Sequence, residues 1–151
     1  MRNLCILAAG LLSLCAGAPP VVAQTITDGD TLKLNGVTYR LWGVDAPETK
    51  QDCPDGWAAG RLATTHLQSL ISGRNVICER KDRDRYGRTV AICRAGGEDL
   101  GAIMVRDGYA WAFLRYSADY DGQEALAKKE GLGVHGHDCV SAWNWRATRR
   151  Q

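Results

Sequence analysis

Four carboxylates and a guanidinium fall between Asp28 and Glu48 of this 151-residue chain, in the stretch DGDTLKLNGVTYRLWGVDAPE. Asn35-Gly36 at its middle signals a two-residue type I′ turn, whose central positions need positive φ. With that turn at the tip of a hairpin, Thr31 faces Arg40 and Asp30 faces Leu41. Asp28 and Asp30 are two apart, so on an extended strand they point to one side. The returning strand through Tyr39, Arg40 and Leu41 runs on to Asp45 and Glu48. Hard carboxylate oxygens suit Ca²⁺ or Mg²⁺, and an arginine fork beside such an ion suits a phosphate. DGD alone is also ordinary turn chemistry. What points to a site is the arrival of Asp45, Glu48 and Arg40 at the same end of the same hairpin.

Other elements must position these groups. The loop KQDCPDG follows the hairpin. Trp57 to Ser72 then carries apolar residues at helical spacing, including Trp57, Ala58, Leu62, Ala63, Leu67, Leu70 and Ile71, and Gly73 stops it. NVICERK and RTVAICRA form the arms of a second hairpin around DRDRYG. A second helix is expected over Glu98–Asp107, a short extended aromatic segment over Tyr109–Arg115, and a third helix over Ala118–Glu130. The order of strands, helix, strands and two helices suits an α+β domain built on a small barrel.

The length allows one domain with a proper core, and 45 % hydrophobic residues exclude a disordered chain. The first 18 residues hold one charge, Arg2, ahead of CILAAGLLSLCAGA. That reads as a secretory signal peptide, short for a membrane span; an uncleaved anchor is the alternative. Small residues suit cleavage after Ala18 or after Ala23. Cys15 does not suit lipid attachment, because Leu14 before it is large. The mature domain is then 19–151, secreted or periplasmic. Losing Arg2 takes the formal charge from +2 to +1, so bulk charge gives no argument for nucleic acid, and any attraction is local. Arg80, Lys81, Arg83, Arg85 and Arg88 make one cluster, diluted by Glu79, Asp82 and Asp84. Arg146, Arg149 and Arg150 make a second at the tail, read as a solvated end. The tryptophans of SAWNWR are expected to pack back onto the body, with stacking on bases as the alternative.

Cys53, Cys78, Cys93 and Cys139 remain after the leader, and an even number in an exported chain argues for disulfides. With Arg85-Tyr86 at the centre of the second hairpin, Cys78 faces Cys93, close enough to bridge. That leaves Cys53 with Cys139, which would pin the tail to the loop after Glu48. Buried free thiols are the alternative. VHGHDC places His135, His137 and Cys139 at metal-like spacing, but no fourth ligand is apparent. His66 falls in a helix, with no catalytic part expected.

DGDTLKL, YRLWGVDAPET and DRYGR, in this order and spacing, resemble the staphylococcal-nuclease-like (thermonuclease) family, from about Val21 to about Gly136. The resemblance implies a small five-stranded OB-type β-barrel with three helices and a Ca²⁺-dependent phosphodiesterase acting on DNA, RNA or both. It implies Ca²⁺, with Mg²⁺ second, at Asp30, Asp45 and the Ala46 carbonyl, with Asp28 behind them through water. It implies Glu48 as the group that positions or deprotonates the attacking water, and Arg40 and Arg88 as holders of the scissile phosphate. Tyr86 matches a nucleotide-site tyrosine and Tyr116 a later one, while Leu114 stands where a further tyrosine is usual. Cutting on the 5′ side would leave a 3′-phosphate. The loop after Thr49 is shorter than in the best-studied member. A monomer acting on nucleic acid, with no membrane partner, is expected. A non-catalytic OB-type nucleic-acid-binding module is the alternative function. Such relatives usually lack some of these positions, whereas here all five of Asp30, Arg40, Asp45, Glu48 and Arg88 are present. A domain binding Ca²⁺ for structure alone would leave the inward-aimed arginines unexplained.

Overall fold

The computed structural model describes residues 24–149. The expected leader lies outside them, as do Arg150 and Gln151. Among the described residues no helix is long and apolar enough to cross a membrane.

Five strands make the path of the six-stranded main sheet: β1 (Gln24–Asp28), β2 (Thr31–Leu34), β3 (Val37–Leu41), β5 (Val76–Arg83) and β6 (Thr89–Ala95). Two-residue β4 (Val44–Asp45) and β8 (Trp111–Ala112) pair beside it, and β7 (Glu98–Asp99) borders β6. The order β1-β2-β3-β6-β5 mixes antiparallel hairpins with a parallel β3–β6 pair. That is the mixed, partly open arrangement of an OB-type barrel flanked by helices.

Asn35 (φ 48°) and Gly36 (φ 84°) form the expected turn, and Thr31 pairs with Arg40. The DGD stretch differs from expectation. Asp28 ends β1 and pairs with Thr31, so Gly29-Asp30 is the tip of a further hairpin rather than part of one extended strand. The physical reason is tight packing. A Cβ on Gly29 would lie 2.8 Å from the Cβ atoms of both Ala46 and Ala63, so the turn nests between the loop after β4 and a helix. That helix, α1 (Ala59–Ile71), buries Ala59, Ala63, Leu67 and Ile71, one per turn of the expected stripe, while Leu62 faces out.

Helix α2 (Leu100–Arg106) starts later than expected, because Asp99 caps it by accepting from the Gly101 and Ala102 amides. Helix α3 (Asp121–Glu130) ends at left-handed Gly131. Of Tyr109–Arg115, only Trp111–Ala112 is strand. A 3-10 turn (Gly133–His135) and a fourth helix, α4 (Ala142–Thr148), follow the three expected helices. Leu32, Leu41, Leu67, Ile71, Leu100 and Met104 form the centre of the core. A satellite cluster of Trp111, Val134 and Ala142, with Trp57 and Cys139 against it, seats α4. Disulfides join Cys78 to Cys93 and Cys53 to Cys139.

Candidate active site

The hairpin ends, the loop after β4, the β5–β6 loop and α4 surround a cleft of about 730 Å³. Asp30 lies on its floor, 4 % exposed, and Asp45 is fully buried. Arg40, projecting from β3, ties them together. Its Nη1 donates to Asp30 Oδ2, and its Nη2 donates to Asp45 Oδ1 at 3.0 Å and to the Val44 carbonyl at 3.1 Å. Asp30 also accepts from Thr31 Oγ1 (2.8 Å) and from the Ala46 amide (3.2 Å). Burial opposes ionisation of Asp30, but the Arg40 charge and these hydrogen bonds hold its carboxyl below the ordinary value. Burial pushes the Asp45 carboxyl up, against a hydrogen bond from Arg146, and the Asp30 charge adds to the rise.

Asp28 has no cationic partner among the described residues. Its Oδ1 accepts from the Asp30 amide at 3.1 Å. Burial, and then the charge of Asp30, push its carboxyl up to about 7. The folded chain therefore keeps a proton that the unfolded chain, with an ordinary carboxyl, has lost. This contribution to stability is complete below the unfolded value of 3.8 and is gone above about 7. In the presence of EDTA, wild type is expected to lose about 1–3 kcal/mol relative to Asp28→Asn as pH rises from about 4 to about 7. Urea unfolding of both proteins across that range measures it; parallel curves would refute the assignment.

Arg88 arrives by the parallel β3–β6 pairing, which sets Arg40 beside Val90. Its loop is organised by Asp84. Oδ1 accepts from the Tyr86 and Arg88 amides (3.0 and 2.9 Å) and Oδ2 from Arg88 Nε (2.6 Å), while Gly87 takes φ 81°. Arg88 Nη1 then reaches Thr31 Oγ1 at 3.4 Å. From sequence, Asp84 counts only as a diluting charge. Its spacing before Tyr86 and Arg88 is the signal of a side-chain-organised turn. A bulge between Arg80 and Asp82 leaves Cys78 opposite Cys93 and shifts the register beyond it by one residue.

Glu48 is fixed through Gln51, itself 1 % exposed. The Gln51 Oε1 accepts from the Glu48 amide (3.2 Å), and the Gln51 amide donates to the Glu48 carbonyl (2.7 Å). Tyr86 and Tyr116 line the cleft with exposed rings, 66 % and 65 % accessible. Leu114 instead borders a neighbouring hollow with Trp111 and Trp143.

Arg146 corrects the sequence reading. Rather than ending in a solvated tail, its guanidinium reaches Asp45 Oδ2 and Glu48 Oε1, each at 2.7 Å. Trp143, one helical turn earlier on α4, also lines the cleft and stacks on Phe113 at 5.8 Å. Both the Trp143–Arg146 spacing and the Cys53–Cys139 pairing are signals of this placement. Elsewhere, His137 bonds Asp55 at 2.6 Å and stacks on Trp57, and Cys139 is in a disulfide. His66 bonds Asp107 at 2.9 Å, away from the cleft.

Among the described residues, no three His, Cys, Asp or Glu side chains form a metal cage. The cleft offers instead the carboxylates of Asp30 and of Asp28, which has no cationic partner among the described residues, with Asp45 buried just behind them. Hard oxygen donors of this number suit a cation that keeps several waters. Asp28 beside Asp30, with no positive neighbour of its own, is where an added cation would relieve repulsion.

The family model described as "Staphylococcal nuclease homologue" matches residues 38–135. An "Uncharacterized endonuclease" of Escherichia coli O157:H7 is 35 % identical, covering 88 % of each chain. "Protein ParB" of Escherichia coli is 32 % identical, covering 92 % of this chain and 89 % of its own. A "Micrococcal nuclease" of Shigella flexneri is 33 % identical, covering 80 % of this chain and 76 % of its own. With the OB-type strand order and the arginine–carboxylate cleft, these similarities establish that the chain belongs to the staphylococcal nuclease homologue family.

Proposed function

We propose that this chain is an exported, Ca²⁺-dependent nuclease that hydrolyses phosphodiester bonds of DNA, RNA or both and leaves 3′-phosphates. The observation that carries the reading is the convergence of Arg40 and Arg88 with Asp30 and Glu48 on one cleft, with Asp45 buried just behind it on Arg40 and Arg146. Relatives named endonuclease and micrococcal nuclease support it. Two disulfides suit an oxidising compartment and fit export.

In this reading Asp30, Asp45 and the Ala46 carbonyl hold the cation, with Asp28 behind them through water. A divalent cation bound there would stabilise charge on the phosphate oxygens. Arg40, kept charged by Asp30 and Asp45 against the cost of its burial, and Arg88, aimed by Asp84, hold the scissile phosphate and meet the charge that grows on it. Glu48 orients or deprotonates water through Oε2, since Oε1 is engaged by Arg146. Tyr86 and Tyr116 offer exposed rings to the nucleotide.

The test is cleavage of a labelled single-stranded DNA by the mature protein, in Ca²⁺ and in EDTA, beside Glu48→Gln. Wild type is expected to cut only with Ca²⁺, and Glu48→Gln to lose about 10²–10⁴ in rate. No cleavage of DNA or RNA with Ca²⁺, Mg²⁺ or Mn²⁺ would replace the nuclease with a non-catalytic binding module.

A further inference from the structure

Arg146 lines the cleft from α4, beside Trp143 and Ala147, far in sequence from the hairpin that carries Asp30 and Arg40. It arrives on a seven-residue helix that is anchored in several ways. Cys139, just before α4, is bonded to Cys53 in the loop after Glu48. Ala142 is fully buried, and Trp143 packs edge-on against Trp111 and stacks on Phe113. Gln51 joins the two halves of the arrangement, because its Nε2 donates to the Val140 carbonyl at 2.6 Å while its Oε1 accepts from the Glu48 amide. The backbone that carries Glu48 and the segment that carries Arg146 thus share one buried amide side chain and one disulfide.

The guanidinium forks across two carboxylates of different standing. Asp45 is fully buried and has one oxygen on Arg40 and the other on Arg146. Glu48 is about a third exposed and has only one oxygen engaged. An exposed clamp that merely held down a chain end would not need a fully buried carboxylate as its target.

We propose that Arg146 is a positioning residue for Glu48 and, through Asp45, a brake on cation binding, delivered by the disulfide-anchored C-terminal helix. The proposal rests on the nuclease reading above. Holding Oε1 fixes the Glu48 rotamer and leaves Oε2 for water, which raises the rate. Holding a positive charge on Asp45 Oδ2 disfavours a second cation on the same carboxylate, which weakens metal affinity. Removing Arg146 therefore moves the two properties in opposite directions. Partial unfolding would lower both together, so the sign of the metal effect separates positioning from general damage.

The experiment is calorimetric titration of the mature chain with Ca²⁺ alone, beside steady-state cleavage of single-stranded DNA, for wild type, Arg146→Ala, Arg146→Lys and a Cys53→Ser/Cys139→Ser double variant. Arg146→Ala is expected to bind Ca²⁺ about fivefold tighter or more and to lose about 10–100-fold in kcat, with KM little changed. Arg146→Lys keeps the charge but not the fork, so its Ca²⁺ affinity returns to wild type while kcat stays low. The double variant, freed from its anchor, is expected to shift as Arg146→Ala does. Unchanged or weaker Ca²⁺ binding in Arg146→Ala, or an unchanged kcat, would overturn the proposal. A wild type that bound Ca²⁺ and cut DNA beside such an unaltered variant would sink this inference alone. A wild type that did neither would sink the nuclease reading and this with it.

Discussion

Arg40→Ala is expected to abolish detectable cleavage and to cost about 3–5 kcal/mol of stability, because it leaves buried charge without its partner. Both parts follow from one side chain. The Arg40 guanidinium, only 16 % exposed, neutralises Asp30 and Asp45 together. Without it Asp30 has no cation among the described residues, and Asp45 retains Arg146 alone. The loss of a fixed donor to the phosphate adds about 10²–10³ in rate to the damage done to the floor of the cleft. Arg40→Lys separates the two contributions. An ammonium restores charge but bonds one carboxylate at a time, so stability recovers in part while the rate does not. Excess Ca²⁺ should also restore part of the stability of Arg40→Ala, since a cation can neutralise the same carboxylates. Urea midpoints with and without Ca²⁺, beside cleavage rates, measure all of this. An Arg40→Ala protein with a wild-type midpoint would show that the two aspartates are not held as charges by Arg40.

How much of the fold and the cleft is legible in the sequence follows the range of each interaction. The Asn35-Gly36 turn is local chemistry, so the residues of the turn alone set the Thr31–Arg40 register. The Cys78–Cys93 pair is different: beside the turn Arg83 faces Thr89, one residue out of the register that a centre at Arg85-Tyr86 gives, and the bulge between Arg80 and Asp82, on the turn side of the cysteines, shifts the arms back so that Cys78 faces Cys93. The α1 stripe is legible because one buried residue per turn is a strong periodic signal. The tip at Gly29-Asp30 is not, since what makes it a turn is the closeness of Ala46 and Ala63, far away in sequence. Gln51 looks like one more polar residue in a loop containing Pro54 and Gly56. Its burial depends on partners at Glu48 and Val140, 3 and 89 positions away. Arg146 is misleading for the same reason. A basic residue near a chain end is usually solvated, and what overrides that expectation here is a covalent anchor 86 residues apart in sequence.

Gly60→Ala is the second change expected to do great damage, although Gly60 touches no substrate. Helix α1 begins against the backbone that carries Glu48, and the Gly60 amide donates to the Gln51 carbonyl at 2.9 Å. A Cβ at this position would collide with the Glu48 carbonyl oxygen and lie 2.6 Å from the Glu48 carbonyl carbon and 2.7 Å from that of Thr49. These are backbone atoms, so no rotamer change can relieve the clash. Either α1 or the Glu48–Gln51 loop must move. Overpacking of this kind costs about 1–3 kcal/mol, and more where backbone is trapped. A misplacement of about 1 Å in a catalytic group costs about 10²-fold in rate. The loop is the more weakly held of the two, since α1 is locked to the core by Ala63, Leu67 and Ile71. The rate is therefore expected to fall further than stability alone explains. Gly122→Ala, in α3 with open space where its Cβ would lie, is the control, expected to be neutral or to stabilise by about 0.5–1 kcal/mol. A Gly60→Ala protein that melts lower but cuts DNA at the wild-type rate would show that the carboxylate of Glu48 is placed by its own side-chain contacts, not by the backbone wedged against α1.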